Sequence, residues 1–218
     1  MLTIQACLFD LDGVIVDTAK YHYQAWRKLA NQLGFDLSHE QNELLKGISR
    51  MESLDIILGI GKVNLTDDEK AKYAAEKNSL YLELCMQMTP EDTLPGVKDF
   101  LEELKEASIK IGLGSVSKNA KVILERIDML SYFETIVDGN RISKGKPDPE
   151  VFLVGAKDLH ALPESCVVFE DAVAGIQAAK AGGMFAVGIG EPSVLTEADY
   201  VVPGFKDFSL KDLLEVIK

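Results

Sequence analysis

With 218 residues, 47% of them apolar and 27% charged, the chain can bury a sizeable core, and disorder is not expected. A formal net charge of −12 argues against binding to nucleic acid or to anionic membranes, although a metal ion and a few basic residues could still hold a phosphorylated small molecule. The three cysteines include no CxxC pair, so we expect neither a disulfide framework nor a zinc site. No N-terminal targeting signal and no long apolar span is recognised, which predicts a cytoplasmic location.

The first predicted element is a buried strand over residues 5–11, where a continuous apolar run leads into two carboxylates, Asp10 and Asp12. Strand-like runs then disappear, and the segment from residue 18 to about residue 92 carries only helix signals. Three capping boxes mark helix starts in it: Ser38 with Gln41, Ser49 with Glu52, and Thr66 with Glu69. This segment is therefore predicted to be a small all-helical insert.

Strands and helices alternate through the rest of the chain. Strands are predicted over 109–113, 135–137, 166–169, 185–189 and 200–202, and helices over 97–106, 118–126, 149–160, 172–181 and 209–217. This alternation predicts an α/β fold with a Rossmann-like core, in which a mostly parallel sheet carries helices on both faces. The expected domains are a discontinuous α/β core, residues 1–14 and 93–218, and a helical cap domain, residues 15–92, inserted after the first strand.

Polar side chains follow the carboxyl ends of four predicted strands, which is where an open parallel sheet binds its ligands. Acids follow the first and fourth strands, hydroxyls and an amide follow the second, and a lysine lies beyond the third. The residues are Asp10 and Asp12, then Ser115, Ser117, Lys118 and Asn119, then Lys146, and finally Glu170 and Asp171. Together they predict one site of mixed charge.

Carboxylates gathered at one edge repel one another unless a hard cation lies among them, and Mg²⁺ prefers such oxygen ligands. Asp10 and Asp171 are the natural ligand pair. The backbone carbonyl of Asp12 is a candidate third ligand, and Glu170 could act directly or through water. The alternative is structural, with a polar turn after the first strand and a helix cap after the fourth. Each motif alone leaves the alternatives balanced, whereas both together favour a metal site.

Two neighbouring features could bind an anion. The stretch 115–119 combines hydroxyls, an amide and backbone N–H groups at a predicted helix N-terminus, although an ordinary helix cap would use the same residues. Lys146, within KGKPDP, could be a solvated loop lysine, or it could neutralise a phosphate beside the acids. Taken with the acids, these features predict a phosphate site next to the metal.

Four stretches of the sequence resemble the four motifs of the haloacid dehalogenase superfamily. They are FDLDG with the Asp17–Thr18 pair, GSVSKN, KPDPEVF and VVFEDAVAGIQAAKAGG, and in order they cover the whole chain. The resemblance implies a phosphotransferase in which Asp10 is the nucleophile and forms an aspartyl phosphate, and Asp12 is the general acid and base. An ordinary Asp has a pKa of about 3.9, so Asp12 would need a raised pKa. The resemblance further implies that Mg²⁺, Ser115 and Lys146 neutralise the phosphoryl oxygens.

The predicted insert resembles the cap of β-phosphoglucomutases at TAKYHYQAWRKLA, LLKGISRMESLDIIL and EKNSLY. This resemblance implies that Arg50 holds the phosphate that is not being transferred, with Ser117 and Asn119 beneath it. It also implies that His22 helps to align Asp12. Other residues implied to contact the sugar phosphate or to shape the closed pocket are Thr18, Trp26, Lys46, Gly47, Ser53, Lys77 and Lys118. One departure is visible, since Ala172 stands where serine is expected in the best-known mutases.

Several of these residues have structural explanations of their own. Trp26 lies on an apolar helix stripe, Gly47 could simply end a helix, and Ser49 forms a capping box with the glutamate three residues later. Lys77 and Lys118 could be solvated lysines. For these positions the binding role is therefore an inference from the resemblance.

As a whole, the resemblance implies an intramolecular phosphotransferase that interconverts β-D-glucose 1-phosphate and glucose 6-phosphate. Mg²⁺ would be the cofactor, and glucose 1,6-bisphosphate the intermediate and activator. A sugar-phosphate phosphatase is the alternative, because Asp10, Asp12 and the metal serve both reactions. A non-catalytic phosphate-binding protein is disfavoured, because a binder needs no nucleophile and acid together. The expected partner is a small phosphorylated sugar, and a monomer is the simplest oligomeric state.

Overall fold

Six parallel strands form the centre of the fold in a computed structural model that describes residues 4–217. The strands are β1 (Ala6–Phe9), β2 (Lys110–Gly114), β3 (Thr135–Val137), β4 (Cys166–Glu170), β5 (Phe185–Ile189) and β6 (Tyr200–Val202). Their order across the sheet is β3-β2-β1-β4-β5-β6, with Ala6 of β1 in register with Lys110 on one side and Cys166 on the other. The strand order reverses between β1 and β4, which is where such a sheet opens a crevice for ligands.

Nine α-helices accompany the strands within the described residues. They are α1 (Ala19–Gln32), α2 (His39–Glu43), α3 (Arg50–Gly61), α4 (Asp67–Cys85), α5 (Val97–Glu106), α6 (Ala120–Arg126), α7 (Glu150–Asp158), α8 (Val173–Ala181) and α9 (Leu210–Val216). Strand β1 is buried on both faces, because its alternate residues enter two different apolar clusters. Cys7 and Phe9 enter one, and Ala6 and Leu8 enter the other. The predicted parallel α/β fold with helices on both faces is confirmed.

Helices α1 to α4 lie between β1 and β2 in the chain, as predicted for an all-helical insert. They bury an apolar cluster of their own, which includes Trp26, Leu29, Leu54 and Ile57. All three predicted capping boxes are present at the starts of α2, α3 and α4, with both hydrogen bonds of each box formed. The domain limits at residues 14/15 and 92/93 stay a prediction, and residues 1–3 and 218 lie outside the described part.

Strand β1 ends at Phe9, two residues before its predicted end. The backbone N–H of Asp12 donates to Oδ2 of Asp10 at 3.0 Å, and Gly13 adopts a φ of +79°. The first interaction closes a local turn, and the second requires a residue without a Cβ. Asp10 therefore stands just beyond the sheet, at the crevice.

Helix α6 begins at Ala120, two residues later than predicted. The backbone N–H of Asn119 donates to Oγ of Ser117 at 3.2 Å, so this part of the chain forms a turn before the helix starts. Helices α7 and α9 also stop within one or two residues of their predicted limits, which is the usual uncertainty at helix ends.

The cysteines and the helix lengths agree with the composition. Cys7, Cys85 and Cys166 are all buried, and none forms a disulfide. The first and third of them are small core residues, as the apolar runs around them predict. Among residues 4–217, none of the helices combines the length and the apolar character that a membrane crossing requires.

Candidate active site

The carboxyl ends of β1 and β4 meet at the crevice. The backbone N–H of Asp10 donates to the carbonyl of Phe169 at 3.0 Å, which fixes Asp10 beside the acidic pair that ends β4. A Cβ added at Gly13 would overlap the carboxylate of Asp171, so the turn after β1 can approach this acid only because residue 13 is glycine. Asp10, Glu170 and Asp171 each place one carboxylate oxygen within 4.8 Å of the others.

Lys146 neutralises part of this cluster from within. Its Nζ lies 2.5 Å from Oδ1 of Asp10 and 2.5 Å from Oε1 of Glu170, and its side chain is fully buried. Burial opposes the charge of Lys146, but the two carboxylates outweigh it and raise the pKa of the ammonium above its usual range. Lys146 is therefore a buried partner of the acids and not a solvated loop lysine.

The acids retain more negative charge than Lys146 offsets. Burial, with a smaller contribution from Asp10, raises the pKa of Glu170 to about 7 although Lys146 opposes it. Burial and the neighbouring acids Glu170 and Asp10 raise the pKa of Asp171 well above its usual range. Three carboxylates clustered in this way fit a hard divalent cation such as Mg²⁺, which would supply the missing positive charge.

Asp12 is held apart from this cluster by a different partner. The hydroxyl of Thr18 donates to its Oδ1, and the carboxyl faces the cavity described below. Burial, followed by repulsion from Asp10, raises the pKa of Asp12 to about 7. This is the direction that a proton donor working near neutral pH requires. Metal binding by the Asp12 carbonyl stays a prediction.

A buried cation lies above Asp12, between helices α1 and α4. Lys77 is only 4% exposed, and its Nζ lies 2.9 Å from Nδ1 of His22 and 4.3 Å from the centre of the Trp26 ring. Burial and the charge of Arg50 lower the pKa of Lys77 to about 7. Burial and the same two cations hold the pKa of His22 well below its usual range, so the imidazole is neutral. Lys77 is therefore not a solvated lysine.

The loop between α2 and α3 touches the core at β4. Gly47 has a φ of +73°, and a Cβ built on it would lie 2.9 Å from the Cβ of Ala172. The Nζ of the adjacent Lys46 lies 2.8 Å from Glu43 and 3.8 Å from Oδ2 of Asp171. Gly47 thus does more than end a helix, because its missing side chain lets the helical segment rest directly on the core.

The turn after β2 is ordered by its own side chains. Oγ of Ser115 accepts the backbone N–H of Ser117 at 3.1 Å, and Oγ of Ser117 accepts that of Asn119 at 3.2 Å. The side-chain amide Nδ2 of Asn119 then donates to Oδ1 of Asn78 on α4 at 2.8 Å. This turn therefore meets the helical segment at the side of the crevice opposite Gly47.

One cavity of about 1590 Å³ lies between the helical segment and the core. Most of the predicted site residues line it: Asp10, Asp12, Thr18, His22, Trp26, Lys46, Gly47, Arg50, Ser53, Lys77, Ser117, Lys118, Asn119, Lys146 and Asp171. All predicted site residues lie within residues 4–217. Two of them, Ser115 and Glu170, are buried and do not line the cavity. Trp26 both lines the cavity and belongs to the helical core, so its two interpretations are compatible.

Two residues of this site, Asn78 and Tyr81, lie in the EKNSLY stretch but had no individual role predicted for them. Asn78 lines the cavity beside Lys77 and carried no pattern of its own. Tyr81 lay on the apolar stripe of its helix, yet its ring contacts that of His22 at 4.1 Å between centres. Its hydroxyl is buried and has no hydrogen-bond partner among residues 4–217. No local signal distinguishes such a tyrosine from an ordinary core residue.

The comparisons with known proteins agree with the sequence motifs. The family of haloacid dehalogenase-like hydrolases matches residues 4–183. A β-phosphoglucomutase of Bacillus subtilis (strain 168) is 46% identical over 214 residues, which cover 97% of this chain and 95% of the relative. A crystal structure of a β-phosphoglucomutase from Clostridium difficile superposes with a TM-score of 0.95 at 44% identity, covering 98% of this chain and 97% of that one.

A relative with a different printed activity is also similar. The phosphorylated carbohydrates phosphatase of Thermotoga maritima is 31% identical over 184 residues, covering 83% of this chain and 82% of that protein. The expected resemblance to β-phosphoglucomutases is confirmed by the two matches above. The chain belongs to the haloacid dehalogenase-like hydrolase family.

Proposed function

We propose that this protein is a Mg²⁺-dependent β-phosphoglucomutase, which interconverts β-D-glucose 1-phosphate and glucose 6-phosphate through glucose 1,6-bisphosphate. One observation carries the proposal: a single cavity has Asp10 and Asp12 on its core side and Arg50 on its helical side. A mutase must hold two phosphates of one bisphosphate at once, whereas hydrolysis requires a site for only one. The 46% identity to a β-phosphoglucomutase supports the same conclusion.

The first half-reaction would transfer the phosphoryl group of the bisphosphate to Asp10. A bond forms between a carboxylate oxygen of Asp10 and phosphorus, and the bond between phosphorus and the sugar oxygen breaks. Asp12, whose pKa of about 7 leaves a large share of it protonated at neutral pH, about half, gives its proton to that leaving oxygen. Lys146, 2.5 Å from Asp10, offsets negative charge beside the nucleophile.

The second half-reaction would run the same steps in reverse on the free 6-hydroxyl of β-D-glucose 1-phosphate, which takes the place of the released glucose 6-phosphate and becomes the next glucose 1,6-bisphosphate. Asp12, now ionised, takes the proton of the incoming hydroxyl as its oxygen attacks the aspartyl phosphate. Bound Mg²⁺ would supply charge stabilisation to the phosphoryl oxygens, with Asp10, Asp171 and Glu170 as the residues placed to hold it. Arg50 would hold the phosphate that is not transferred.

Water must be kept away from the aspartyl phosphate for this cycle to succeed. The contact of Gly47 with Ala172 and the approach of Lys46 to Asp171 support a closed arrangement of the helical segment over the core. Such an arrangement favours return of the phosphoryl group to sugar over hydrolysis. A monomeric state and a cytoplasmic location stay predictions from the sequence.

A sugar-phosphate phosphatase is the second candidate. The 31% identity to a phosphorylated carbohydrates phosphatase favours it, and Asp10, Asp12 and the metal cluster suit both reactions equally. The difference lies in whether water or a sugar hydroxyl accepts the phosphoryl group.

The deciding experiment follows both products at once. The protein is incubated with β-D-glucose 1-phosphate, Mg²⁺ and a trace of glucose 1,6-bisphosphate, and glucose 6-phosphate and inorganic phosphate are measured together. The mutase predicts that glucose 6-phosphate dominates, and dominant inorganic phosphate would overturn it. Asp10→Asn is the control that should form neither product, since the nucleophile is removed while the shape of the side chain is kept.

A further inference from the structure

Helices α1 to α4 are joined to the core by one direct hydrogen bond. Within residues 4–217, the bond from Nδ2 of Asn119 to Oδ1 of Asn78, at 2.8 Å, is the only one between residues 19–85 and residues 93–217, and just beyond α4 the carbonyl of Met86 accepts a further bond from Nη2 of Arg126. Asn78 lies in the middle of α4, and Asn119 ends the turn after β2. This pair therefore reports directly on how the helical segment sits over the core.

Helix stability does not explain an asparagine at position 78. In a helix interior, asparagine is less favourable than alanine by up to about 0.7 kcal/mol. The side chain is half-buried and lines the cavity, so apolar packing does not require it either. Its carboxamide oxygen is committed to Asn119. The position is better explained by what this contact does to the residue that it holds.

The Asn119 side chain can donate to Asn78 and to a bound anion at the same time. Its Nδ2 carries two hydrogens, and only one of them is used by Asn78. The side chain lines the same cavity as Arg50, Ser117 and Lys118, and these four residues supply donors for an anion from both sides of the crevice. A fixed carboxamide binds such an anion better than a mobile one, because less rotational freedom is lost on binding.

We propose that Asn78 is a positioning residue that acts through Asn119: it fixes the Asn119 carboxamide for the phosphate that is not being transferred and does so only when the helical segment is closed. Asn78 thereby couples recognition of a second phosphate to closure of the site. This inference rests on the proposed function, since it assigns a determinant of specificity for substrates with two separated phosphate positions.

The test compares Asn78→Ala, Asn119→Ala and the double variant in the full-length protein. The first substrate is β-D-glucose 1-phosphate with Mg²⁺ and glucose 1,6-bisphosphate. The second is p-nitrophenyl phosphate, which has one phosphate and no second anion to recognise. Ser79→Ala is the matched control, because Ser79 is the next residue of α4, is exposed, and within the described residues its side chain bonds only to the carbonyl of Ala75.

Loss of one hydrogen bond predicts a rise of about 3- to 10-fold in the KM for the bisphosphate in Asn78→Ala, with little change in kcat. A larger share of turnovers should release inorganic phosphate, because closure is weakened. Hydrolysis of p-nitrophenyl phosphate should stay within about twofold of the wild type, as should all values for Ser79→Ala. The double variant should be no worse than Asn119→Ala by more than about twofold.

Three results would overturn the inference: an unchanged KM for the bisphosphate, additive effects of the two single variants, or an equal loss on p-nitrophenyl phosphate. The last would mean that Asn78 only maintains the fold. Failure of the proposed function has a separate readout, because the wild type would then form no glucose 6-phosphate. In that event the wild type and Asn78→Ala are compared in the hydrolysis of glucose 1,6-bisphosphate and of p-nitrophenyl phosphate. A KM that rises for the bisphosphate alone still supports the role of Asn78, and an unchanged KM still overturns it.

Discussion

The Nζ atom of Lys146 lies 2.5 Å from Oδ1 of Asp10, and both side chains are almost completely buried. The lysine bonds equally closely to Glu170, so one cation serves two carboxylates. Buried charges of this kind depend on each other, since removal of one leaves the others without compensation in a medium of low polarity. The site that would hold a phosphoryl group is thus also a point on which folding stability depends.

Lys146→Ala should lower the free energy of unfolding by about 3–5 kcal/mol, because two buried carboxylates lose their partner. Urea unfolding without Mg²⁺ measures this directly. Lys144→Ala is the matched control, because the Lys144 side chain is 71% exposed and its ion pair with Asp148, at 3.4 Å, lies at the surface. This variant should change the free energy of unfolding by less than about 1 kcal/mol. Equal effects of the two variants would contradict the structural role of Lys146.

Arg50→Ala tests the second phosphate position. Arg50 lines the cavity, and burial lowers its pKa from the ordinary arginine value, as expected for a partly buried cation that has no carboxylate partner among residues 4–217. Loss of a charge-assisted contact should reduce kcat/KM for β-D-glucose 1-phosphate by about 10- to 100-fold. Hydrolysis of p-nitrophenyl phosphate should change little. An unaltered mutase rate would remove Arg50 from the proposed site.

Gly47→Ala should weaken contact between the helical segment and the core. The left-handed φ of +73° strains any residue with a Cβ, and that Cβ would lie 2.9 Å from the Cβ of Ala172. We expect glucose 6-phosphate formation to fall by about tenfold, with a larger share of inorganic phosphate among the products.

Two further variants separate the contact of Gly47 from its backbone strain. Gly34 also has a positive φ, +92°, but nothing lies within 4 Å of a Cβ added there. Gly34→Ala should therefore reduce stability without changing the ratio of products. Gly47→Ala combined with Ala172→Gly should recover part of the lost activity. If the Ala172 change gives no recovery, the close approach at β4 is not what limits turnover.

Lys77 predicts a pH dependence of stability. Its pKa is lowered to about 7 in the folded protein and returns toward 10.5 on unfolding, so between these values the unfolded chain binds more protons. The free energy of unfolding should therefore rise with pH in this window, by up to about 1.4 kcal/mol per unit. In Lys77→Met this contribution is absent. Urea unfolding from about pH 7.5 to about pH 9.5 should show the stability of the wild type rising relative to that of the variant. Parallel curves would contradict a buried Lys77 with a lowered pKa.

Local chemistry made the two central strands and the capped helix starts of the insert predictable. The apolar runs before Asp10 and Glu170 suit strands buried on both faces, and these are the two neighbouring central strands whose ends meet. Each Ser or Thr followed three residues later by Glu or Gln does start a helix in the 38–69 region, because the capping box is a contact between near neighbours.

Contacts between distant parts of the chain could not be predicted in the same way. Lys146 meets Asp10 across 136 positions, and Asn119 meets Asn78 across 41. These pairings depend on how helices pack on the sheet, which leaves no short-range pattern in the sequence. Lys77 is an example, since its sequence context suits solvent as well as the rings of Trp26 and Tyr81 that enclose it.

The position of β1 in the sheet has a consequence for the synthesis of the protein. Ala6 leaves the ribosome long before its two partners in the sheet, Lys110 and Cys166. Helices α1 to α4 can collapse around their own apolar cluster in the meantime, whereas β1 must wait for pairing across long separations, which is intrinsically slow. Asp10, the proposed nucleophile, is thus translated long before Glu170 and Asp171, so its acidic surroundings are complete only once residue 171 has emerged.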